Sequence, residues 1–211
     1  MVIGAPILLL ASPLLAPQLL AFPYRTETAI GTIWSEQPLD KTMLDTAARD
    51  VTARMATTPL ASKAETRPIF VTRGGWRWTW LAVSSRGAFA FTRPLTRAVV
   101  VNATDPVSGE IRNGRDIGGT RALGSVLAHE FTHGLIRRRY GILTATHMPT
   151  WKVEGYCDHV AGGSTLNDAD VAALMSAGRD HPALAYYHGR KRVEATLAAN
   201  GGSVDALFAG E

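Results

Sequence analysis

The spacing of hydrophobic residues changes several times along the 211-residue chain. The first 24 residues, MVIGAPILLLASPLLAPQLLAFPY, hold no charged side chain, and Arg25 is the first. About 20 apolar residues suffice to cross a hydrocarbon core, although Pro6, Pro13 and Pro17 interrupt a regular helix. The segment lacks the basic n-region and the A-x-A site of a cleaved signal. We expect residues 1–24 to be a hydrophobic anchor or signal segment, with a buried hairpin as the alternative. Membrane attachment would run through residues 2–23 where they are retained, with a single domain, 25–211, exported or anchored outside the cytoplasm.

Residues 28–34, TAIGTIW, read as a strand. Residues 40–56 read as a helix capped by Asp40, because Leu44, Ala47, Val51 and Met55 recur at helical spacing. TTPLAS breaks it, and four β-rich runs follow at 68–73, 76–83, 87–92 and 97–102, separated by Gly, Ser and Pro. Within them Trp76, Trp78 and Trp80 alternate with Arg77 and Thr79. Period two places the three indoles on one strand face, turned to the core, to a membrane interface or to an aromatic binding surface. Residues 104–119 read as a loop. From Thr120, a candidate cap, the period becomes helical: Leu123, Val126, Leu127, Phe131 and Leu135 share a stripe that stops near Gly141. Further helices are expected around Pro149, at 168–177 behind STLND, and from Pro182 to Ala199. Strands first and helices afterwards predict an α+β domain.

Composition narrows the classes. With 46% hydrophobic and 19% charged residues the chain is an ordinary globular one. The net charge of +4 is mild, and the one basic cluster, Arg137-Arg138-Arg139, suits a helix C-terminus better than a nucleic-acid surface, so no nucleic-acid partner is expected. The single cysteine, Cys157, excludes an intramolecular disulfide and a Cys-based structural zinc site. It reads as a small buried residue on the inner side of its helix.

Candidate chemistry sits in LAHEFTHGLIRRRYG, residues 127–141. His129 and His133, four apart on the predicted helix, project from one face and can converge on one metal ion, zinc being the ion that favours such imidazole sites. Glu130 leans to the side of that ion, where a carboxylate can act as general base. With six His in the chain, chance supplies such a pattern about 0.006 times per chain of this composition. A third ligand must come from elsewhere.

Residues 149–162, PTWKVEGYCDHVAG, hold a candidate. Together with the HEFTH run they resemble the gluzincin metallopeptidases, the group of thermolysin-like enzymes and of aminopeptidases with a W-x-x-E-G second motif. Trp151, Glu154 and Gly155 match that motif, and residues 134–153 separate Glu154 from His133. The resemblance implies a zincin-like fold, with a strand-rich N-terminal lobe, an active-site helix and a helical C-terminal half. It implies Glu154 as the third zinc ligand. It also implies that Asp158, four residues on, orients a ligand histidine, and ligating histidines generally donate their second N–H to a carboxylate or carbonyl. His147 and His159 remain alternatives to Glu154. The metzincin pattern is excluded, because Ile136 and Arg139 stand where it needs glycine and histidine. Residues 183–208 resemble the C-terminal helix of peptidase-MA-like proteins, in which a Y-x-G run precedes an amphipathic helix. That implies Tyr187 as the oxyanion donor, with Tyr186 and His188 next in line. In such folds an edge strand before the active-site helix holds extended peptide, and TRAVVVN, 96–102, is its candidate.

These expectations add up to a zinc-dependent hydrolase acting on a peptide or protein. The metal would be held by His129, His133 and Glu154, with Glu130 as base. An inactive binding or scaffolding module of the same fold, and a hydrolase of non-peptide amides or esters, use the same residues.

Overall fold

The computed structural model describes residues 12–93 and 96–209. Strand β1 (Tyr24–Thr28) and strand β2 (Gly31–Ser35) form an antiparallel hairpin. Gly31, at φ 120°, closes the turn, and a Cβ there would lie 2.2 Å from the Arg67 carbonyl oxygen, so no other residue fits. The expected strand at 28–34 is therefore the second arm of a hairpin. Its first arm begins at Tyr24, inside the segment read as an anchor. Residues 1–11 of that segment lie outside the described residues. Among the described residues, no helix is long and apolar enough to cross a membrane.

Helix α1 (Lys41–Met55) follows, and Asp40 caps it by accepting from the Met43 N–H at 2.8 Å. Leu44, Ala47, Val51 and Met55 are all buried on one side, as their spacing predicts. Strand β3 (Ile69–Val71), helix α2 (Trp76–Ala82), strand β4 (Ala90–Thr92) and strand β5 (Val99–Val101) come next. The mixed sheet runs β1-β2-β3-β5-β4, with β2, β3 and β5 parallel and β1 and β4 antiparallel at its edges.

Three expectations fail in this block. Residues 76–82 are helical, so the three indoles do not share a face: Trp78 is buried, whereas Trp76 and Trp80 are exposed. The reason is topological. β3 and β5 are parallel, and a parallel pair needs a crossover, part of which is α2. TRAVVVN is not an edge strand either, since β5 is held between β3 and β4; the edge belongs to β4. Residues 104–119 are not all loop, because β6 (Ala103–Thr104), β7 (Glu110–Arg112) and β8 (Thr120–Ala122) make a small antiparallel sheet.

Thr120 lies in β8 and caps nothing. Helix α3 (Leu123–Tyr140) starts directly from the strand at Ala122, without a side-chain cap. Its apolar stripe, Leu123, Val126, Leu127, Phe131 and Leu135, is buried against α1 and the sheet, each large side chain contributing about 1.5–3 kcal/mol. Gly141, at φ 89°, ends it. Then come α4 (Ile142–His147), α5 (Thr150–Val160), α6 (Asp168–Ser176), α7 (Leu184–Ala199) and α8 (Val204–Ala209). The capping box at Asn167 and Asp170 starts α6 where STLND predicts it. α4 and α8 carry too few periodic residues to be read from the sequence. Strands lead and helices follow, so the chain is α+β, about half helical.

The sheet separates two cores. Ile33, Ile69, Val71, Val99 and Val101 face α1 and α3, while Phe70 and Val100 face α2.

Candidate metal centre

α3 carries His129 and His133 one turn apart, with ring centroids 4.9 Å apart and planes at 75°. α5 packs across it and delivers Glu154. The Glu154 Oε2 lies 3.2 Å from His129 Nε2 and 3.5 Å from His133 Nε2. Both imidazoles therefore turn the same nitrogen toward one carboxylate oxygen. Donors each about 2.1 Å from a tetrahedral zinc ion stand about 3.4 Å from one another, so both gaps have the size of a coordination edge.

The approach of α5 depends on glycine. α5 crosses α7 so closely that a Cβ on Gly155 would sit 2.5 Å from the Gly189 carbonyl carbon and oxygen. Trp151 lies on the same crossing, with the Arg192 guanidinium 3.8 Å from its ring centroid. The W-x-x-E-G run is thus the packing surface that seats Glu154.

Behind His129, its Nδ1 meets Asp158 Oδ1 at 2.8 Å, and Asp158 is fully buried. The same oxygen accepts from Arg121 Nη1 at 3.2 Å, and Arg121 also donates to Ser125 Oγ and the Gly163 carbonyl. Asp158 thus stands where it was expected, and it serves His129. Burial opposes charge on His129, but the hydrogen bonds to Asp158 and Glu154 outweigh it and push its pKa up to about 10. Burial opposes charge on Glu154 as well, yet the two histidines hold it below the usual carboxylate range. In the metal-free protein the cluster is an ion pair.

The centre opens into a cleft of about 570 Å³. One wall is the edge strand, lined by Ala88 to Thr92; the other includes His129, Glu130, His133 and Arg137 of α3. Glu130 is buried yet lines the cleft, and no side chain among the described residues hydrogen-bonds its carboxylate. A side chamber of about 240 Å³ shares His133, Arg137 and Glu154 and is otherwise lined largely by Ile136, Ala145, Met148 and Val153.

Other candidates fall outside. Tyr187 does not line the cleft; its hydroxyl donates to Asp168 Oδ1 at 2.8 Å. Tyr186 lines the cleft instead, and burial, reinforced by the charges of Glu154, Asp158 and Glu130, raises its phenol to about 12. Neighbours on a helix point about 100° apart, so Tyr186 faces the cleft and Tyr187, the tyrosine of the Y-x-G match, faces Asp168. His188 is exposed and packs edge-on against Tyr187. His147 Nδ1 bonds the Leu143 carbonyl, and His159 Nδ1 lies 3.7 Å from Glu194; neither lines the cleft. The arginines that end α3 act individually: Arg137 donates to the Thr92 carbonyl, Arg138 to Glu65 and Arg139 to Asp205.

Two participants escaped the sequence reading. His181, in the loop before α7, lines the cleft, and no spacing rule marks it. Cys157, fully buried as expected, is nonetheless close to both rings: one donor atom from each of His129, His133 and Cys157 all lie within 4.8 Å of one another. It sits three residues after Glu154, on the same face of α5. Burial, together with the carboxylates of Glu154, Glu130 and Asp158, pushes its thiol well above the usual range, so it is a neutral thiol. Comparison with known proteins returns no matching family model and no significantly similar curated protein or solved structure.

Proposed function

We propose that this centre binds zinc and that the chain is a gluzincin-like hydrolase acting on peptides. The observation that carries the reading is the Glu154 oxygen at coordination-edge distance from both histidine Nε2 atoms. His129, His133 and Glu154 would hold the ion, with His129 oriented by Asp158. Zinc there would supply Lewis acidity, acidifying water and polarising a carbonyl. Glu130, whose carboxylate no side chain among the described residues hydrogen-bonds, would take a proton from the attacking water and return it to the leaving amine. Tyr186 keeps its proton at neutral pH and donates to the carbonyl oxygen as that oxygen gains charge. Peptide is the favoured substrate because the cleft wall is the edge strand β4, which has no strand partner on its outer side, with Arg137 donating to the Thr92 carbonyl at one end. Residues 88–92 span roughly 16 Å, room for about five residues of extended chain added beside β4.

A second reading has its own observation. With Cys157 as a fourth donor the site would be closed and structural, and the fold would serve binding rather than turnover. Glu130 weighs against it, since a closed site gives that carboxylate nothing to do. Glu130→Gln decides the matter. It should keep one zinc per chain while peptide hydrolysis falls about 100-fold or more. Hydrolysis at the wild-type rate would remove Glu130 as the base.

A further inference from the structure

We propose that α2 and the segment before β1 form a membrane-contact surface that lies flat on an anionic bilayer. This goes beyond the hydrolase reading and does not depend on it.

Leu20, Phe22 and Trp78 pack together beneath this surface, on the face of the sheet carrying Phe70 and Val100. Arg77 of α2 joins the two segments, donating to the Leu20 and Ala21 carbonyls. With Leu20 and Trp78 turned inward, their sequence neighbours turn outward. Leu19 is 59% exposed, Trp76 61% and Trp80 42%. Trp76 and Trp80 are four apart, so they share the outer side of α2. Val83, at the end of α2, is half exposed at a φ of 50°, a region costly for a β-branched residue. Water is a poor solvent for such a set, and a cluster of exposed aromatic and aliphatic side chains of this kind marks an interaction site.

Two features select lipid as the partner. The sequence ahead of the described residues, MVIGAPILLLA, is apolar and without a charged side chain. Residues 66–104, which include α2, hold six arginines and no acidic residue. Arg73 and Arg86 flank α2 at its two ends, both exposed; among the described residues neither guanidinium forms an ion pair, although the Arg73 backbone N–H donates to Glu36 Oε2 at 2.6 Å. Indoles seated at the headgroup level and ringed by cations are the pattern of a surface that binds acidic lipid. Ser84, Ser85 and Gly87 follow α2 directly and line the cleft, so the bilayer would lie beside the cleft mouth.

The test uses the full chain with vesicles of phosphatidylcholine containing about one third phosphatidylglycerol, brominated on the acyl chains. Bromine should quench the wild-type indole emission. Trp76→Ser with Trp80→Ser should lose most of the vesicle partitioning, and with it the quenching of the remaining indoles, while far-ultraviolet dichroism and melting temperature stay unchanged. Trp76→Phe with Trp80→Phe should keep vesicle partitioning within about threefold of wild type, because an aromatic ring is retained at each position. Quenching that is absent in the wild type, or unchanged in the serine variant, would overturn the proposal. So would a concentration-dependent dimer that the serine variant abolishes, since the surface would then belong to a second copy of the chain.

Discussion

Residues 66–104 and 123–160 are nearly equal in length and both strongly hydrophobic in pattern, yet they carry very different kinds of information. In the second stretch, chemistry and scaffold use the same rule. The helical period that buries Leu127, Phe131 and Leu135 also sets His129 and His133 on a common face, and on α5 it groups Glu154, Cys157 and Asp158. In the first stretch the alternation of WRWTW satisfied the strand rule locally, but the parallel pairing of β3 with β5 required a crossover there. A site built from helix offsets can be read from spacing; a connection chosen by sheet order cannot.

The strongest way to break this comparison is to ask whether the offsets mean coordination. Glu154→Ala should weaken zinc binding by about 100-fold or more, whereas His147→Ala and His159→Ala should leave it unchanged, as both side chains lie away from the cleft. Cys157→Ser should also retain zinc, because His129, His133 and Glu154 already present three donors at coordination-edge distances. Zinc titration against a competing chelator reads all four. Loss of zinc in the Cys157 variant would favour the closed, structural site. Retention in the Glu154 variant would end the gluzincin-like reading.

This contrast also explains how far the sequence could go. The Asp40 cap, the α3 stripe and the group His129, Glu130, His133, Glu154 and Asp158 follow from local spacing plus one resemblance. Missed were features set by contacts distant in sequence. β4 rather than β5 takes the edge because of strand order, and His181 reaches the cleft from a loop. Tyr186 displaces Tyr187 because the rotation of α7 is fixed by its crossing with α5 at Gly155 and Gly189.

That crossing offers a smaller and sharper perturbation. Gly155→Ala puts a methyl 2.5 Å from the Gly189 backbone, which cannot move without α7. Overpacking of this kind costs about 1–3 kcal/mol, or roughly 2–10 °C in a chain of this size. Because Glu154 is the adjacent residue, zinc affinity should fall with it. Gly163→Ala, where a Cβ would meet nothing within 4 Å, should change stability by less than about 0.5 kcal/mol. Equal melting temperatures for the two variants would show that the close crossing does not seat the ligand.

A last effect comes from pH and needs no mutation. In the metal-free protein the pKa of His129 is raised to about 10 from an ordinary value of about 6.5. A raised pKa means the folded state holds the proton more tightly than the unfolded chain. The resulting stabilisation is complete below about 6.5 and is lost as pH rises toward 10. Glu154 is shifted the other way, so its contribution is present above about 4.5 and is lost as pH falls through its lowered value. The chelator-treated protein should therefore melt highest between about pH 4.5 and 6.5 and lose stability on the alkaline side. Zinc bound by the centre would take the place of the proton on His129, so the loaded protein should hold its melting temperature over that alkaline range, and zinc affinity should rise with pH. A chelated protein whose melting temperature is flat from pH 6.5 to 10 would mean that Glu154 and Asp158 do not hold His129 charged, and the packing of α5 against α3 would then be looser than the distances at the centre require.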